Sequence, residues 1–113
     1  TSIFMLPKFK EFQPILLAYT DSDIEGYNLV ITKNNRIVSQ KTIGEMDGET
    51  IKDFKILNNY EIELFERNSS PDPRILYSKL KINSDGIIVE LVIYYHLLLP
   101  NQIQILLPSF SLV

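Results

Sequence analysis

The chain has no cysteine and a single histidine, His96, among its 113 residues. The first absence excludes disulfides, thiol catalysis and cysteine-ligated zinc or iron–sulfur centres. The second leaves a multi-histidine metal site or a Ser/His/Asp triad resting on His96 alone. That residue follows Tyr94-Tyr95 inside an apolar run, where it reads as a packing residue at a strand end. Glycine is scarce, and Gly26, Gly44, Gly48 and Gly86 are scattered, so no phosphate-cradling loop is formed. Positive charge is not concentrated: 11 Lys and Arg stand against 14 Asp and Glu, for a formal net charge of −3. Nucleic-acid binding by charge is therefore not expected. The longest apolar stretch, from Gly86 to Pro100, is broken by Glu90 and His96 and falls short of the roughly 20 apolar residues of a membrane-spanning helix. No basic segment precedes an apolar stretch with a small-residue cleavage site, so no signal peptide is visible. A soluble, cytoplasmic domain is the expectation, and an opening on Thr1 fits a piece of a longer or processed protein. Asn68-Ser69-Ser70 has the form of a glycosylation sequon and is discounted without a secretory signal.

What is present suits one small domain with a real core: 45% hydrophobic and 22% charged residues, with no internal repeat or low-complexity tract. Sixteen isoleucines against one alanine, Ala18, favour strands, because branched side chains pack well on a pleated surface. Short apolar runs separated by turn residues recur along the chain: Phe12–Tyr19, Tyr27–Thr32, Ile51–Leu57 and Tyr60–Glu66. Ile62 and Leu64 alternate with Glu61 and Glu63, the period of a half-buried strand. From Arg74 to Ile82 the pattern places Leu76, Leu80 and Ile82 on one face and Lys79 and Lys81 toward water. Asp85-Gly86 lies between SKLKIN and IIVELVI, and a two-residue type I′ hairpin turn is expected there. A last strand is expected over Gln102–Leu107, within an apolar C-terminal stretch that reads as a buried strand pair. No helix is convincing. The expected architecture is an all-β, antiparallel β-sandwich of about seven or eight strands, with 1–12 as an N-terminal arm or linker and 13–113 as the sandwich.

No enzyme signature emerges. The carboxylate pairs Asp21/Asp23, Glu45/Asp47/Glu49 and Glu61/Glu63 have strand spacing that suits acid–base work or calcium, but they read as solvated faces and turns. Phe54, Tyr60 and Phe65 lack the neighbouring basic clusters that a base-stacking surface needs.

One longer pattern stands out. Gly26, Leu29, Ile31, Lys33-Asn34, Ile37 and Lys41 are followed by Asp47-Gly48-Glu49-Thr50, then Ser70-Pro71-Asp72-Pro73-Arg74, then Ile82-Asn83-Ser84-Asp85-Gly86-Ile87-Ile88. In order and rough spacing, across about 13–107, this resembles the β substrate-binding domain of the seventy-kilodalton heat-shock, DnaK-type chaperones. Glu25 stands where that family has the first of two glycines and Val38 where it has a proline, and the segments 41–47 and 50–70 are shorter. The resemblance implies a non-enzymatic module without cofactor or metal, binding unfolded or extended apolar peptides. Such a binder is expected to be monomeric or to self-associate weakly through its own groove, and the charge and hydropathy pattern gives neither nucleic acid nor membrane as partner. Such a module offers strand backbone to the peptide and a pocket to an apolar side chain. Position by position, it implies Ile24 on the first groove strand and Ile43 and Met46 near the arch. Ile51 and Phe54 would form the pocket floor, with Leu76 behind it. Two other classes compete: an assembly β-sandwich that pairs with another subunit through edge strands and its apolar C-terminal strands, and an accessory domain that binds a ligand in its acidic loops.

Overall fold

The structure is a computed structural model that describes residues 1–69 and 71–91. Those residues form eight strands: β1 Ser2–Met5, β2 Gln13–Asp21, β3 Ile24–Lys33, β4 Arg36–Met46, β5 Ile51–Ile56, β6 Glu61–Arg67, β7 Ile75–Ile82 and β8 Ile88–Leu91. All belong to one sheet in the order β1-β2-β3-β4-β5-β6-β7-β8, with every neighbour antiparallel. Among the described residues there is no helix. The all-β expectation therefore holds; the expected strand over Gln102–Leu107 and His96 lie outside the described residues.

The apolar runs become the inner strands. β3 carries Leu29 and Ile31, β6 carries Ile62 and Leu64, and β7 carries Leu80 and Ile82. With Phe12, Ile43 and Tyr60 these side chains make one buried cluster. Burying a side chain of this size contributes about 1.5–3 kcal/mol relative to exposure, so this cluster makes a large favourable contribution to the fold. The pairing between β4 and β5 is short, with only Glu45↔Lys52 and Met46↔Ile51 in register. Beyond it the early and late strands meet through side chains: Ser39 Oγ on β4 donates to the Gly86 carbonyl 2.6 Å away in the β7–β8 loop. Phe12 covers Gly86, where a Cβ would come within 2.6 Å of its ring, and Gly86 has φ +79°. Only glycine satisfies both conditions there.

Turn chemistry sits elsewhere than the sequence suggests. Asn34 and Asn35 both have positive φ (52° and 64°) between the paired Lys33 and Arg36, which is the type I′ arrangement. At Asp85-Gly86 only Gly86 has positive φ, so the expected two-residue I′ turn is not formed. Three residues, Ser84, Asp85 and Gly86, lie inside the closure of Asn83 on Ile87. Gly86 N–H donates to the Asn83 carbonyl, and Asn83 N–H donates to the Ile87 carbonyl. Asn83 Oδ1 accepts from the N–H groups of Asp85 and Ile87, so an asparagine side chain organises the turn, followed by a left-handed glycine.

A register shift between Leu64 and Phe65 also corrects the expected face of Leu76. On β5, which pairs without a shift, Asp53 and Ile56 are three residues apart and so lie on opposite faces. Leu76 belongs to the row Asp53–Phe65–Leu76 and Leu80 to the row Ile56–Ile62–Leu80. The bulge turns Leu76 away from the face of Leu80 and Ile82.

Candidate functional site

The stretch expected as an arm supplies the first strand of the sheet. β1 pairs with β2 in unbroken register from Ser2↔Ala18 to Met5↔Ile15. Leu6 N–H then donates to the Pro14 carbonyl at 3.1 Å. Antiparallel residues turn their backbone groups toward the partner at alternate positions. Ser2, Phe4 and Leu6 therefore face β2, while the N–H and C=O groups of Ile3 and Met5 face the open edge. Pro14 has no N–H to return to Leu6. Gln13 Nε2 makes good the loss, donating to the Leu6 carbonyl at 2.7 Å and the Pro14 carbonyl at 2.9 Å.

Beyond Leu6 the chain is pinned. The Tyr60 hydroxyl donates to the Pro7 carbonyl, and the Phe9 ring meets the Tyr60 ring edge-on at 5.7 Å. Burial pushes the Tyr60 hydroxyl above the usual tyrosine range, so it stays protonated as a donor at neutral pH. Beside this anchor lies a cleft of about 300 Å³ lined by Leu6, Pro7, Ile56, Leu57, Asn58 and Tyr60.

The edge itself is apolar on both sides. Ile3 is 64% exposed, Phe4 49% and Met5 63%. By register, Ile3 and Met5 share a face with Leu17, Ile15 and Val30, whereas Phe4 shares the core face with Leu16 and Leu29. Natural edge strands are usually guarded by a charge, a proline or a bulge. Ser2–Met5 contains no charged residue and no proline, and its pairing has no bulge. Chemically, among the described residues this edge presents backbone donors and acceptors that no other strand pairs, lying between apolar side chains, the equipment for accepting another strand.

The residues singled out by resemblance are distributed differently. Met46 and Ile51 face one another across the β4–β5 pair. Ile43 is 1% exposed in the core cluster, and Phe54 packs against that cluster. Phe54 also meets Tyr27 edge-on at 5.2 Å and lies over Gly44. Ile51 and Phe54, three apart on a strand without a bulge, occupy opposite faces. Leu76 lies in the row of Phe65, and Ile24, 37% exposed, opens β3 beside the Asp21 hairpin tip. The space beside Ile43 and Gly44, about 260 Å³, is completed by Thr42, Glu45, Lys52 and Tyr77. Burial, then the nearby charges of Glu66 and Glu90, raise the Tyr77 hydroxyl above its ordinary range.

Of the grouped carboxylates, Asp47, Glu61 and Glu63 have structural partners, and Asp21 and Asp23 are exposed. Asp47 Oδ1 accepts from the N–H groups of Thr50 and Glu49, and those bonds hold its carboxyl below the usual range. Lys79 Nζ lies 3.8 Å from Glu61 and 4.0 Å from Glu63. Asp53 meets Arg74 at 3.0 Å and Arg67 at 3.9 Å. Among the described residues no three acidic or histidine side chains gather around a common point.

Sequence reasoning missed Ile3, Phe4 and Met5. The available signal was a short aromatic and branched run, free of charge and ended by Pro7. No family model matches the chain, and no curated protein or solved structure matches it either.

Proposed function

We propose that this chain is a non-enzymatic protein-binding module that takes an extended apolar segment as an added strand along β1. We also infer that its sheet folds over at the short β4–β5 pairing, so that β1–β4 and β5–β8 form the two layers of a sandwich. The single cluster joining Leu29 and Ile31 to Ile62 and Leu80, and the Ser39–Gly86 bond, support that layering. The observation that carries the binding reading is the unguarded edge: outward backbone groups at Ile3 and Met5, with apolar side chains on either face.

The test is fluorescence anisotropy of a labelled Leu-rich heptapeptide flanked by arginines, against a charge-matched polar peptide. Saturable binding of the apolar peptide alone is expected. Met5→Pro removes an outward N–H and no bond of the β1–β2 ladder, so it should weaken binding at least about tenfold in a domain that still melts normally. Equal binding of the two peptides, or full binding by Met5→Pro, would exclude the edge.

The resemblance to a chaperone substrate-binding domain supports the same ligand class at a second place, the β4–β5 junction. The facing pair Met46 and Ile51 favours it. Ile51→Glu separates the two sites: it should abolish peptide binding at the junction and leave binding at β1 intact.

A further inference from the structure

We infer that the strand added to β1 is the β1 strand of a second copy of this chain, giving a two-fold dimer with one continuous sheet. The inference rests on the edge-binding reading above and names its partner. The edge and the segment it would accept have the same chemistry, because Ser2–Met5 is itself short, extended, apolar and free of charge. A two-fold axis makes an interface self-complementary, and antiparallel pairing of identical strands is such an interface.

The register follows from the outward groups. Ile3 and Met5 face the edge, so pairing Ile3 with Met5 of the second copy, and Met5 with its Ile3, closes two hydrogen bonds at each pair. The axis then passes at Phe4. The two Phe4 rings, each half exposed in the single chain, come together in a non-hydrogen-bonded pair, where cross-strand side chains are nearest. On the other face, Ile3 and Met5 join the rows of Leu17, Ile15 and Val30 of both copies.

Charge supports the same partner. One end of β1 runs into exposed Lys8 and Lys10, and beside its other end is the β2–β3 hairpin tip with exposed Asp21, Asp23 and Glu25. Antiparallel pairing lays the basic end of each copy toward the acidic tip of the other, twice by symmetry. A parallel pairing would set like charges side by side, which disfavours it.

Analytical ultracentrifugation of the full chain over a wide concentration range should show a monomer–dimer equilibrium. Lys8→Glu/Lys10→Glu and Asp21→Lys/Asp23→Lys, both confined to exposed side chains, should each weaken it at least about tenfold. Mixing the two variants should restore a heterodimer, since every reversed charge then meets its opposite. Met5→Pro should be monomeric, with the melting temperature that the parent shows at concentrations low enough for it to be monomeric too. A dimer indifferent to both charge reversal and Met5→Pro would overturn the inference. So would a chain that stays monomeric throughout, and the peptide spanning Thr1–Leu6 then distinguishes two failures. If the monomer binds that peptide, strand addition stands and the second copy is excluded. If it does not, both readings fall.

Discussion

On β6 and β7 the face turned away from the core carries Glu61, Glu63 and Lys79, with the lysine ammonium between the two carboxylates. On β1, β2 and β3 the face turned away from the core carries Ile3, Met5, Ile15, Leu17 and Val30 in adjoining rows. Up to the bulge at Leu64/Phe65, where Phe65 and Leu76 lie on the outward face, the first set alternates in the usual antiparallel manner, apolar inward and charged outward. The other carries apolar side chains on both faces in these rows, with Asn28 opposite Leu17, and Val30 is only 5% exposed although it lies opposite the core cluster. The lesson concerns where the molecule has business with others. A charged ladder contributes little stability but keeps its face solvated. An apolar face that reaches an unguarded edge continues naturally into another strand, which is why the proposed contact falls at β1.

The contrast outside coexists with a common core, and that is the first place to test it. Leu29 and Leu80 come from the two contrasted regions and belong to one buried cluster. Leu29→Ala and Leu80→Ala should each cost about 3 kcal/mol, the lost transfer energy plus the cavity left behind. Each should lower the urea midpoint of a single transition and speed amide exchange across both regions. If Leu80→Ala loosened β6 and β7 alone while β2 and β3 kept their protection, the regions would be separate folding units, and the inference of one layered core would fail.

This uneven finish also explains what could be read beforehand. β3, β6 and β7 were legible because burial on a pleated strand leaves either an apolar run, as in Leu29–Ile31, or a period of two, as at Ile62 and Leu64. β4 was not, because RIVSQKTIGEM is largely polar. Its place comes from the long pairing with β3, which absorbs two register shifts, at Tyr27/Asn28 and at Ile31/Thr32. Such non-local support leaves no local pattern. β1 is four residues long, too short for periodicity to separate it from an arm, and only its pairing with β2 makes it a strand. The face of Leu76 is not legible in the sequence, because alternation cannot anticipate the bulge at Leu64/Phe65. The site was the least legible part: the facing of Met46 and Ile51 comes from the β4–β5 register, and the open edge at Ile3 and Met5 depends on which backbone groups face β2, neither of which side-chain sequence encodes.

Val30→Thr tests the apolar face directly. The replacement keeps the shape and the β-branch and adds a hydroxyl among Ile15, Gln40 and the flanking β3 residues. A buried hydroxyl without a dedicated partner costs about 1–2 kcal/mol, so the thermal midpoint should fall by several degrees. The same substitution at half-exposed Val89, on β8 beside Lys81, should change the midpoint far less. Equal effects would mean that the two faces do not differ in burial as described.

The smallest effect is expected at Lys79. Its ammonium sits 3.8 and 4.0 Å from two carboxylates on partly exposed side chains. At that range in a solvated setting the attraction is weak, and holding a lysine in one geometry opposes it. Lys79→Met keeps the stem that packs along the sheet and removes the charge. It should cost at most about 0.5 kcal/mol at low ionic strength. At about 1 M salt, where the screening length is about 3 Å, the difference between variant and parent should vanish. Glu61 and Glu63 would then stand without their cation on a face carrying one more apolar side chain, a step toward the finish of the β1–β3 face. A cost as large as that of Val30→Thr, persisting in salt, would show that the charged face stabilises the fold as strongly as the apolar one, and the contrast drawn between them would then be one of chemistry alone.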